Sequence, residues 1–357
     1  MKTYTCVCGQ LIFFQNVACV NCRRELGFLP NLLAVTSLEP AEQGRWLPTL
    51  GGGQAPLYRK CQNYSNENVC NWMVPAESTE TFCISCRLNE IIPDLSIPVN
   101  RELWGTAELA KRRLIYSLLQ LKLPMASKRE DPERGLRFRF LSDRTNPDGS
   151  VNRVMTGHNQ GTITLNIAEA DDAAREKVRR EMHEPYRTLL GDLRHESGHY
   201  YWDRLVRDTE FLEPYRALFG DERADYAAAL KRHYDSGAPP NWQENFISAY
   251  ATTHPWEDWA ESWAHFLHIQ DALEVAHDFG LVGKRILAEP KKRRPKTWLS
   301  SRQISFNETI LAWSELAVAL NSINRSMGLA DLYPFVLSQP VVAKLGFISD
   351  LVGAHAA

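Results

Sequence analysis

The chain lacks the features that would place it in or on a membrane. Its 357 residues contain no apolar run long enough to cross a bilayer, which excludes a recognisable transmembrane helix. The N-terminal stretch has no apolar core followed by a small-residue cleavage site, which excludes a typical secretory signal. We therefore expect a cytoplasmic protein without a membrane partner.

The chain also lacks an excess of charge of either sign. Charged residues make up 24% of the sequence, yet the formal net charge is only -2, so no global field attracts nucleic acid or an anionic surface. Residues 1–100 carry seven Lys or Arg against eight Asp or Glu, so they have no excess of positive charge that would bind a phosphate backbone. A nucleic-acid partner is not expected, and binding must use a local site.

Cysteine is absent after Cys86, so all eight cysteines lie in the first quarter of the chain. They fall into two quartets, and each contains one C-x-x-C pair able to hold a metal from a single turn. The first quartet is Cys6, Cys8, Cys19 and Cys22, and the second is Cys61, Cys70, Cys83 and Cys86. Four thiolates favour tetrahedral zinc, whereas a reducing cytoplasm disfavours disulfides. We expect two structural zinc ions; disulfides, one metal with spare thiols, and interleaved quartets are the alternatives.

A small zinc-ribbon-like domain is therefore predicted for residues 1–95. Because it has no basic footprint, we interpret it as a module that docks a protein partner or the substrate. Prolines around residues 93–98 mark its end, and residues 96–357 follow with a different pattern. A basic, proline-rich segment at about 288–297, inside this second domain, is interpreted as a solvated loop.

The second domain is predicted to be mostly helical with a small antiparallel sheet, which makes the fold class α+β. Apolar residues at helical spacing predict a helix from Thr106, with this threonine as its N-cap. Period-two alternation predicts two strands of one sheet, at residues 136–141 and within "GTITLNI" at residues 161–167. The remainder is predicted to be largely helical.

Proline, glycine and asparagine set the expected ends of these later helices. One begins near Pro185 and contains "HESGH", the next includes "GDERADYAAAL" and stops at Gly237, and a third runs from Pro255 to Gly280. Asn307 opens a fourth helix, and the apolar C-terminal segment is expected to return to the core.

The stretch "HESGH" is the strongest chemical signal in the chain. His195 and His199 stand four residues apart, so a helix brings both imidazoles to one face, where they can bind one zinc ion. Glu196 follows the first histidine, in the position of a general base that takes a proton from a zinc-activated water. The motif predicts a catalytic zinc centre but supplies only two protein ligands.

The third ligand must come from a more distant segment. An elongated HExxHxxGxxH motif would need glycine and histidine where this chain has Trp202 and Leu205. The stretch "HPWEDWAES" places Glu257 and Glu261 one helical turn apart, so one carboxylate can bind zinc while the other hydrogen-bonds a ligand histidine. We predict Glu257 as the ligand and Glu261 as that partner. Asp221, in "GDERAD", is the rival ligand.

These segments together resemble a bacterial family of zinc-binding metallopeptidases that carry an N-terminal zinc-ribbon domain. The likeness covers nearly the full length and lies in the cysteine-rich head, "TITLNIAEADD", "EPYRTLLGDLRHESGHYYWDRLV", "LFGDERADYAAALKRHY", "HPWEDWAESWAHFLH" and "NRSMGLADLYPFVLS". It implies a gluzincin-like catalytic domain, in which the first acid of E-x-x-A-E, here Glu257, is the ligand. It also implies that "GTITLNI" is a sheet edge above the active helix, where an extended peptide adds as a strand; an ordinary core strand is the alternative.

The leading hypothesis is a zinc metalloendopeptidase with one catalytic and two structural zinc ions. Zinc would polarise the scissile carbonyl of a peptide or protein substrate, and Glu196 would pass the proton of the attacking water to the leaving amine. A zinc hydrolase of a non-peptide substrate and a catalytically silent zinc-binding scaffold are the alternatives. Glu196 argues against the scaffold, because binding alone needs no general base.

Other polar residues of these helices have weaker signals. Tyr250, His254 and Tyr201 are candidates for the donor that stabilises the tetrahedral oxyanion. His265 and His268, on the predicted glutamate helix, are interpreted as structural.

Overall fold

The computed structural model describes residues 2–50, 55–181, 187–282 and 305–355. These residues belong to two compact units, residues 1–182 and residues 183–357. Two of the predictions, the loop at about 288–297 and the helix start near Pro185, lie outside the described residues.

The α+β class predicted from the sequence is confirmed, because helices are combined with small and mainly antiparallel sheets. The strands are β1 Tyr4–Thr5, β2 Leu11–Ile12, β3 Leu26–Leu29, β4 Ala34–Pro40, β5 Trp46–Pro48, β6 Tyr58–Lys60, β7 Met73–Pro75, β8 Asn89–Ile91, β9 Arg137–Leu141, β10 Arg144–Thr145, β11 Val151–Asn152, β12 Gly157–Asn159 and β13 Thr162–Asn166. The helices are α1 Gln62–Ser65, α2 Pro98–Gln120, α3 Asp172–Glu181, α4 Leu189–Leu205, α5 Leu212–Phe219, α6 Tyr226–Ser236, α7 Pro255–Asp278, α8 Phe306–Ser326 and α9 Gln339–His355. Within the described ranges, none of these helices has the length and apolar character needed to cross a membrane.

The first unit contains both cysteine quartets and a five-stranded antiparallel sheet of order β3-β4-β5-β6-β7. Phe14, Phe28 and Trp72 from the cysteine-rich region pack against one another, and Tyr116 from α2 joins the same cluster. All four rings are buried, so the cysteine-rich region shares an aromatic core with α2. The domain boundary predicted near residue 95 stays a prediction.

Helix α2 begins earlier than the sequence suggested. It starts at Pro98, because proline at the first helical position has a suitable φ and needs no hydrogen bond from its nitrogen. Thr106 lies inside the helix, where its hydroxyl donates to the carbonyl of Glu102 at 3.2 Å. The prediction of Thr106 as the N-cap is therefore wrong.

The two predicted strands are confirmed as β9 and β13, which lie side by side in a four-stranded sheet of order β12-β13-β9-β8. This sheet is mixed, because β9 pairs in parallel with both β13 and β8, while β12 and β13 are antiparallel. Strand β13 has a neighbour on each side, so its backbone groups already bond within the sheet. The prediction that "GTITLNI" forms an open edge for a substrate strand is wrong.

In the second unit, α4 and α9 both pack against α7. Val341, Leu345 and Ile348 of α9 are fully buried. Between them, Lys344 donates to Oδ2 of Asp258 at 2.6 Å, and both side chains are buried. Because an unpaired charge would be costly there, this ion pair ties α9 to the first turn of α7.

The ends of the helices in this unit match the prediction better than the starts. Gly237 follows α6 and Gly280 follows α7, both with positive φ, as the stop signals predicted. Helix α6, however, begins after Asp225, whose side chain caps it, so "GDERAD" is not helical. Helix α8 begins after Ser305, which forms a capping box with the glutamate three residues on, so the prediction of Asn307 as the opening residue is wrong.

Candidate metal centre

Helix α4 carries both histidines of "HESGH" on one face. Its start is fixed by Thr188, whose hydroxyl accepts a hydrogen bond from the backbone N–H of Gly191 at 3.0 Å. One helical turn separates His195 from His199, and their ring centroids lie 4.9 Å apart. Trp256 covers the buried His199, with 3.9 Å between the ring centroids. The helix therefore presents two imidazoles side by side.

Helix α7 comes close enough to α4 to bring its acids to these histidines. A Cβ atom on Gly198 would lie 2.9 Å from Cα of Ala260, so glycine is required where the helices cross. Two indoles of α7 bond to α4: Trp259 Nε1 donates to the Gly198 carbonyl at 2.8 Å, and Trp263 Nε1 donates to the Ser197 hydroxyl at 3.1 Å. Both indoles are buried, so these bonds fix the spacing and register of the two helices.

Glu257, in the first turn of α7, meets both histidines. Its Oε2 atom lies 3.0 Å from Nε2 of His195 and 3.5 Å from Nε2 of His199, and the three potential ligand atoms lie within 4.8 Å of one another. A tetrahedral zinc ion with ligands at about 2.1 Å holds neighbouring ligand atoms about 3.4 Å apart. Glu257 is 1% exposed, and a buried carboxylate requires a compensating cation. The three residues therefore fit a zinc ion.

The charges at this cluster favour a cation. Burial by itself would raise the pKa of Glu257, but His199 and His195 hold that pKa well below its usual value. Burial would likewise lower the pKa of His195, but the carboxylates of Glu257 and Glu261 raise it well above its usual value. Two acids thus stabilise positive charge at His195, and Glu257 is the one that faces both imidazoles.

Glu261, one turn after Glu257, contacts the other nitrogen of His195. Its Oε1 atom accepts a hydrogen bond from Nδ1 of His195 at 2.7 Å. With Nδ1 bonded to Glu261, Nε2 is the nitrogen left to face Glu257, and it is the one that could bind a metal in place of a proton. The sequence predicts that Glu261 hydrogen-bonds a ligand histidine, and its position next to Nδ1 of His195 allows that role.

Tyr226, the first residue of α6, is a neighbour of the cluster that the sequence did not reveal. Its hydroxyl donates to Oε1 of Glu257 at 2.8 Å, on the carboxylate oxygen opposite the histidines. Burial and the charge of Glu257 raise the pKa of Tyr226, so the hydroxyl remains a neutral donor. Tyr250 hydrogen-bonds to Tyr226 and lies beside His195, with 5.9 Å between the ring centroids. No spacing in the sequence relates α6 to α7, so no local signal marks this contact.

The remaining acids named from the sequence lie in different environments. Glu196 is half-buried and follows His195 on α4. Asp221 lies on the surface with a side chain that is 52% exposed, and it pairs with Arg223 at 2.7 Å. The cluster of potential ligands contains Glu257 and not Asp221.

The three candidates for an oxyanion donor also differ. His254 caps α7: its Nδ1 accepts from the backbone N–H of Trp256 at 3.1 Å, and its Nε2 donates to a backbone carbonyl at 3.0 Å. Tyr201 is fully buried and stacks on Trp263, which makes it part of the core. Tyr250 is the candidate whose ring lies beside the metal cluster.

A second polar network lies behind the cluster, on α4 and α7. Arg194 bonds to His268 and Asp271. His265 is buried, and its Nδ1 accepts a hydrogen bond from the hydroxyl of Tyr333 at 2.8 Å. These contacts are those of residues that support the helices, which is the interpretation made from the sequence.

The two cysteine quartets form separate thiol clusters in the first unit. Sulfur–sulfur distances are 3.6 Å for Cys6–Cys22 and Cys8–Cys19, 3.7 Å for Cys70–Cys86 and 3.8 Å for Cys70–Cys83. A tetrahedral zinc–thiolate centre holds sulfurs about 3.8 Å apart, whereas a disulfide holds them about 2.05 Å apart. All eight cysteines are unbridged and the quartets do not interleave, so both clusters fit zinc.

Two histidines from one helix and a glutamate from another form a ligand set of zinc metallopeptidases. Fold and site thus define the class as a zinc-binding protein of metallopeptidase type, with a cysteine-rich head. Residues 100–351 match the family described as "putative zinc-binding metallo-peptidase", and residues 3–97 match a zinc-ribbon domain. The chain belongs to this metallopeptidase family, and zinc is the metal that the family and the cysteine clusters support.

Similar proteins occur in mycobacteria. One protein of Mycobacterium bovis and one from each of two strains of Mycobacterium tuberculosis are 42% identical to this chain over 354 residues, which is 99% of this chain and 95% of each relative. All three are named as uncharacterized proteins, so their names supply no activity. No solved structure matches the chain.

Proposed function

We propose that this protein is a zinc metalloendopeptidase of gluzincin type, with a catalytic zinc held by His195, His199 and Glu257. The observation that carries the proposal is the convergence of three potential ligand atoms from α4 and α7 within 4.8 Å of one another. Glu196 adds the general base of the motif next to the first ligand. No specific observation favours either alternative, a zinc hydrolase of another substrate or a silent scaffold.

Each residue around the proposed zinc would have a separate role in the hydrolysis. When bound, zinc would act as a Lewis acid on the scissile carbonyl and acidify a water. Glu196 would accept the proton of that water and deliver it to the leaving amine. Glu261 would keep Nε2 of His195 unprotonated, and Tyr226 would hold one oxygen of Glu257 so that the other faces the histidines.

We also propose that each cysteine quartet holds one structural zinc, so that the chain carries about three zinc ions in all. Residues 1–95 would then be the zinc-ribbon domain and residues 96–357 the catalytic domain. The head would dock a protein partner or the substrate. The cytoplasmic location and the lack of a nucleic-acid partner stay predictions.

Metal analysis of the purified full-length chain tests the ligands. We expect His195→Ala and Glu257→Ala each to lose about one of three zinc ions, because the cysteine clusters do not involve these residues. Asp221→Asn is the matched control and should keep all its zinc. If Glu257→Ala keeps its zinc and Asp221→Asn loses one ion, Asp221 is the third ligand instead.

Hydrolysis of a denatured-protein and peptide library tests the reaction. We expect Glu196→Gln to keep its zinc and to cut peptides at least about 100-fold more slowly than the wild type, because the general base is missing. A zinc-loaded wild type that cuts no peptide, or a Glu196→Gln variant as active as the wild type, would contradict the proposal.

A further inference from the structure

A polar cavity on the mixed sheet of the first unit has no role in the proposed reaction. Strands β9 and β13 pair with Arg137 opposite Thr162 and Arg139 opposite Thr164. Side chains at alternate positions of a strand share one face, so these four form a two-by-two array. The residues between them on both strands are apolar and fully buried on the other face.

The charged residues that line this cavity are all positive. Lys128, from the loop before β9, joins Arg137 and Arg139 there. Glu90 of β8 accepts hydrogen bonds from both arginines and neutralises one charge. Burial and the proximity of Arg137 lower the pKa of Lys128, which places these cations within reach of one another. Lys128 also donates to the backbone carbonyls of Pro132 at 3.0 Å and Glu133 at 2.7 Å, and the charges of Asp131 and Glu133 act on its pKa in the opposite direction. The clearest excess of positive charge therefore comes from the two arginines, which share the single carboxylate of Glu90.

Several donors at this cavity also lack an acceptor. Arg139 uses Nε for Glu90, and Arg137 uses Nε for the Thr162 hydroxyl at 2.8 Å and Nη1 for Glu90. In the part of the chain that the structure describes, both Nη groups of Arg139 and Nη2 of Arg137 have no protein acceptor. The free fork of Arg139 matches two oxygens of one oxyanion.

The cavity has the size of a ligand site. Its volume is about 440 Å³, and besides the array and Lys128 it is lined by the side-chain amides of Asn159 and Gln160. Ligand pockets in proteins span about 300–1,000 Å³, so there is room for an oxyanion together with part of the molecule that carries it.

We propose that this cavity is a binding site for a phosphate group, with Arg139, Arg137 and Lys128 as its main contacts. The Nη groups left over on both arginines can meet several oxygens of one phosphate, which a carboxylate with two oxygens cannot offer. The donors also come from two strands and a loop, which suits a tetrahedral group more than a planar one. The site does not depend on the metal centre, so its failure and the failure of the proposed peptidase activity are separate outcomes.

Calorimetric titration of the zinc-loaded full chain with inorganic phosphate, at fixed ionic strength, tests the site. We expect Arg139→Gln to weaken phosphate binding at least about tenfold, because a bidentate charged contact is lost. Lys128→Gln should also weaken it, and it changes a different element in case the first variant misfolds. Arg144→Gln, an exposed arginine of β10 outside the cavity, is the matched control and should bind like the wild type.

A phosphoserine peptide and the same peptide without phosphate then distinguish the source of the group. Tighter binding of the phosphopeptide than of inorganic phosphate identifies a phosphorylated peptide, whereas equal binding identifies the free ion or a small phosphorylated molecule. The proposal is overturned if both cavity variants bind phosphate like the wild type, or if acetate binds as well as phosphate.

Discussion

Nδ1 of His195 donates to Oε1 of Glu261 at 2.7 Å, and Nε2 of the same ring lies 3.0 Å from Oε2 of Glu257. One imidazole thus stands between two carboxylates that are one turn apart on α7. The Glu261 carboxylate holds the ring through Nδ1, and the Glu257 carboxylate faces Nε2, the nitrogen that would bind the proposed metal. In the proposed site, the same helix would therefore supply both a metal ligand and the group that orients a ligand histidine.

Removal of the Glu261 carboxylate should weaken the catalytic zinc site while leaving the ligands in place. We expect Glu261→Ala to lower zinc affinity by about 10–100-fold, because the tautomer and orientation of His195 are no longer fixed. Glu261→Gln keeps an acceptor oxygen and should lose less. Chelator competition measures the zinc affinity of both variants, and Asp221→Asn, which removes an acid outside the cluster, is the control. Wild-type affinity in Glu261→Ala would show that the hydrogen bond has no influence on the metal.

The hydroxyl of Tyr226 should also contribute to metal binding. In Tyr226→Phe, Oε1 of Glu257 loses its donor at 2.8 Å, and we expect zinc affinity to fall by about tenfold because a hydrogen bond to a charged group is lost. Tyr234→Phe is the matched control: it lies on the same helix and is 63% exposed, so its affinity should not change. The same chelator competition measures the zinc affinity of both variants. Equal zinc affinities for Tyr226→Phe and Tyr234→Phe would rule out this role of Tyr226.

Gly198 should be the residue at which the helix crossing is least tolerant. An added Cβ would lie 2.9 Å from Cα of Ala260 and 3.1 Å from Cβ of Trp263, so Gly198→Ala must push α4 from α7. We expect a loss of about 1–3 kcal/mol in unfolding free energy, together with weaker zinc binding. Gly353→Ala, in α9 with open space around it, should be neutral or stabilising. Urea unfolding and zinc titration test both, and a Gly198→Ala variant as stable as the wild type would contradict the steric argument.

The buried histidine behind the site should make the second unit sensitive to acid. Burial lowers the pKa of His265 to about 4, with Arg194 acting in the same direction and Glu261 against it. Since an unfolded histidine has a pKa of about 6.5, the unfolded state binds a proton at a higher pH than the folded state does. The stability from neutral His265 is therefore present above about pH 6.5 and lost as the pH falls towards 4, by at most about 3 kcal/mol.

The measurement is urea unfolding at several pH values for the zinc-loaded wild type and for His265→Gln. The variant should be less stable near pH 7.5, because it fits the site less well, but should lose less stability on acidification. Parallel pH dependence in the two proteins would mean that His265 is not the group that responds.

Some elements of the fold were predictable because their signals are local. The period-two alternation of β9 and β13 was sufficient to identify both strands, and Gly237 and Gly280 end their helices as expected. Helix starts were harder, because several residues near a start can serve as the cap. Ser305 forms a capping box and Pro98 occupies a first helical position, so these residues begin the helices instead of Asn307 and Thr106.

Sheet order was not predictable from either strand alone. An isolated strand with one apolar face is compatible with an edge or an interior position, and the order depends on which segments return to pair with it. Strand β12 covers one side of β13 through a tight turn at Gln160 and Gly161, both with positive φ. The expected open edge is therefore occupied by a neighbouring strand.

By itself the sequence determined the local parts of the candidate metal sites. The helical period places His195 and His199 on one face, and the C-x-x-C spacings place pairs of thiols together, because both effects act within a few residues. Only the tertiary structure decided which acid reaches the histidines. Glu257 does so because Gly198 lets the two helices cross closely and α9 holds the first turn of α7, while Asp221 lies at the surface with Arg223. The contact of Tyr226 with Glu257 was also decided by the tertiary structure. Contacts between distant segments depend on how helices pack and not on sequence spacing.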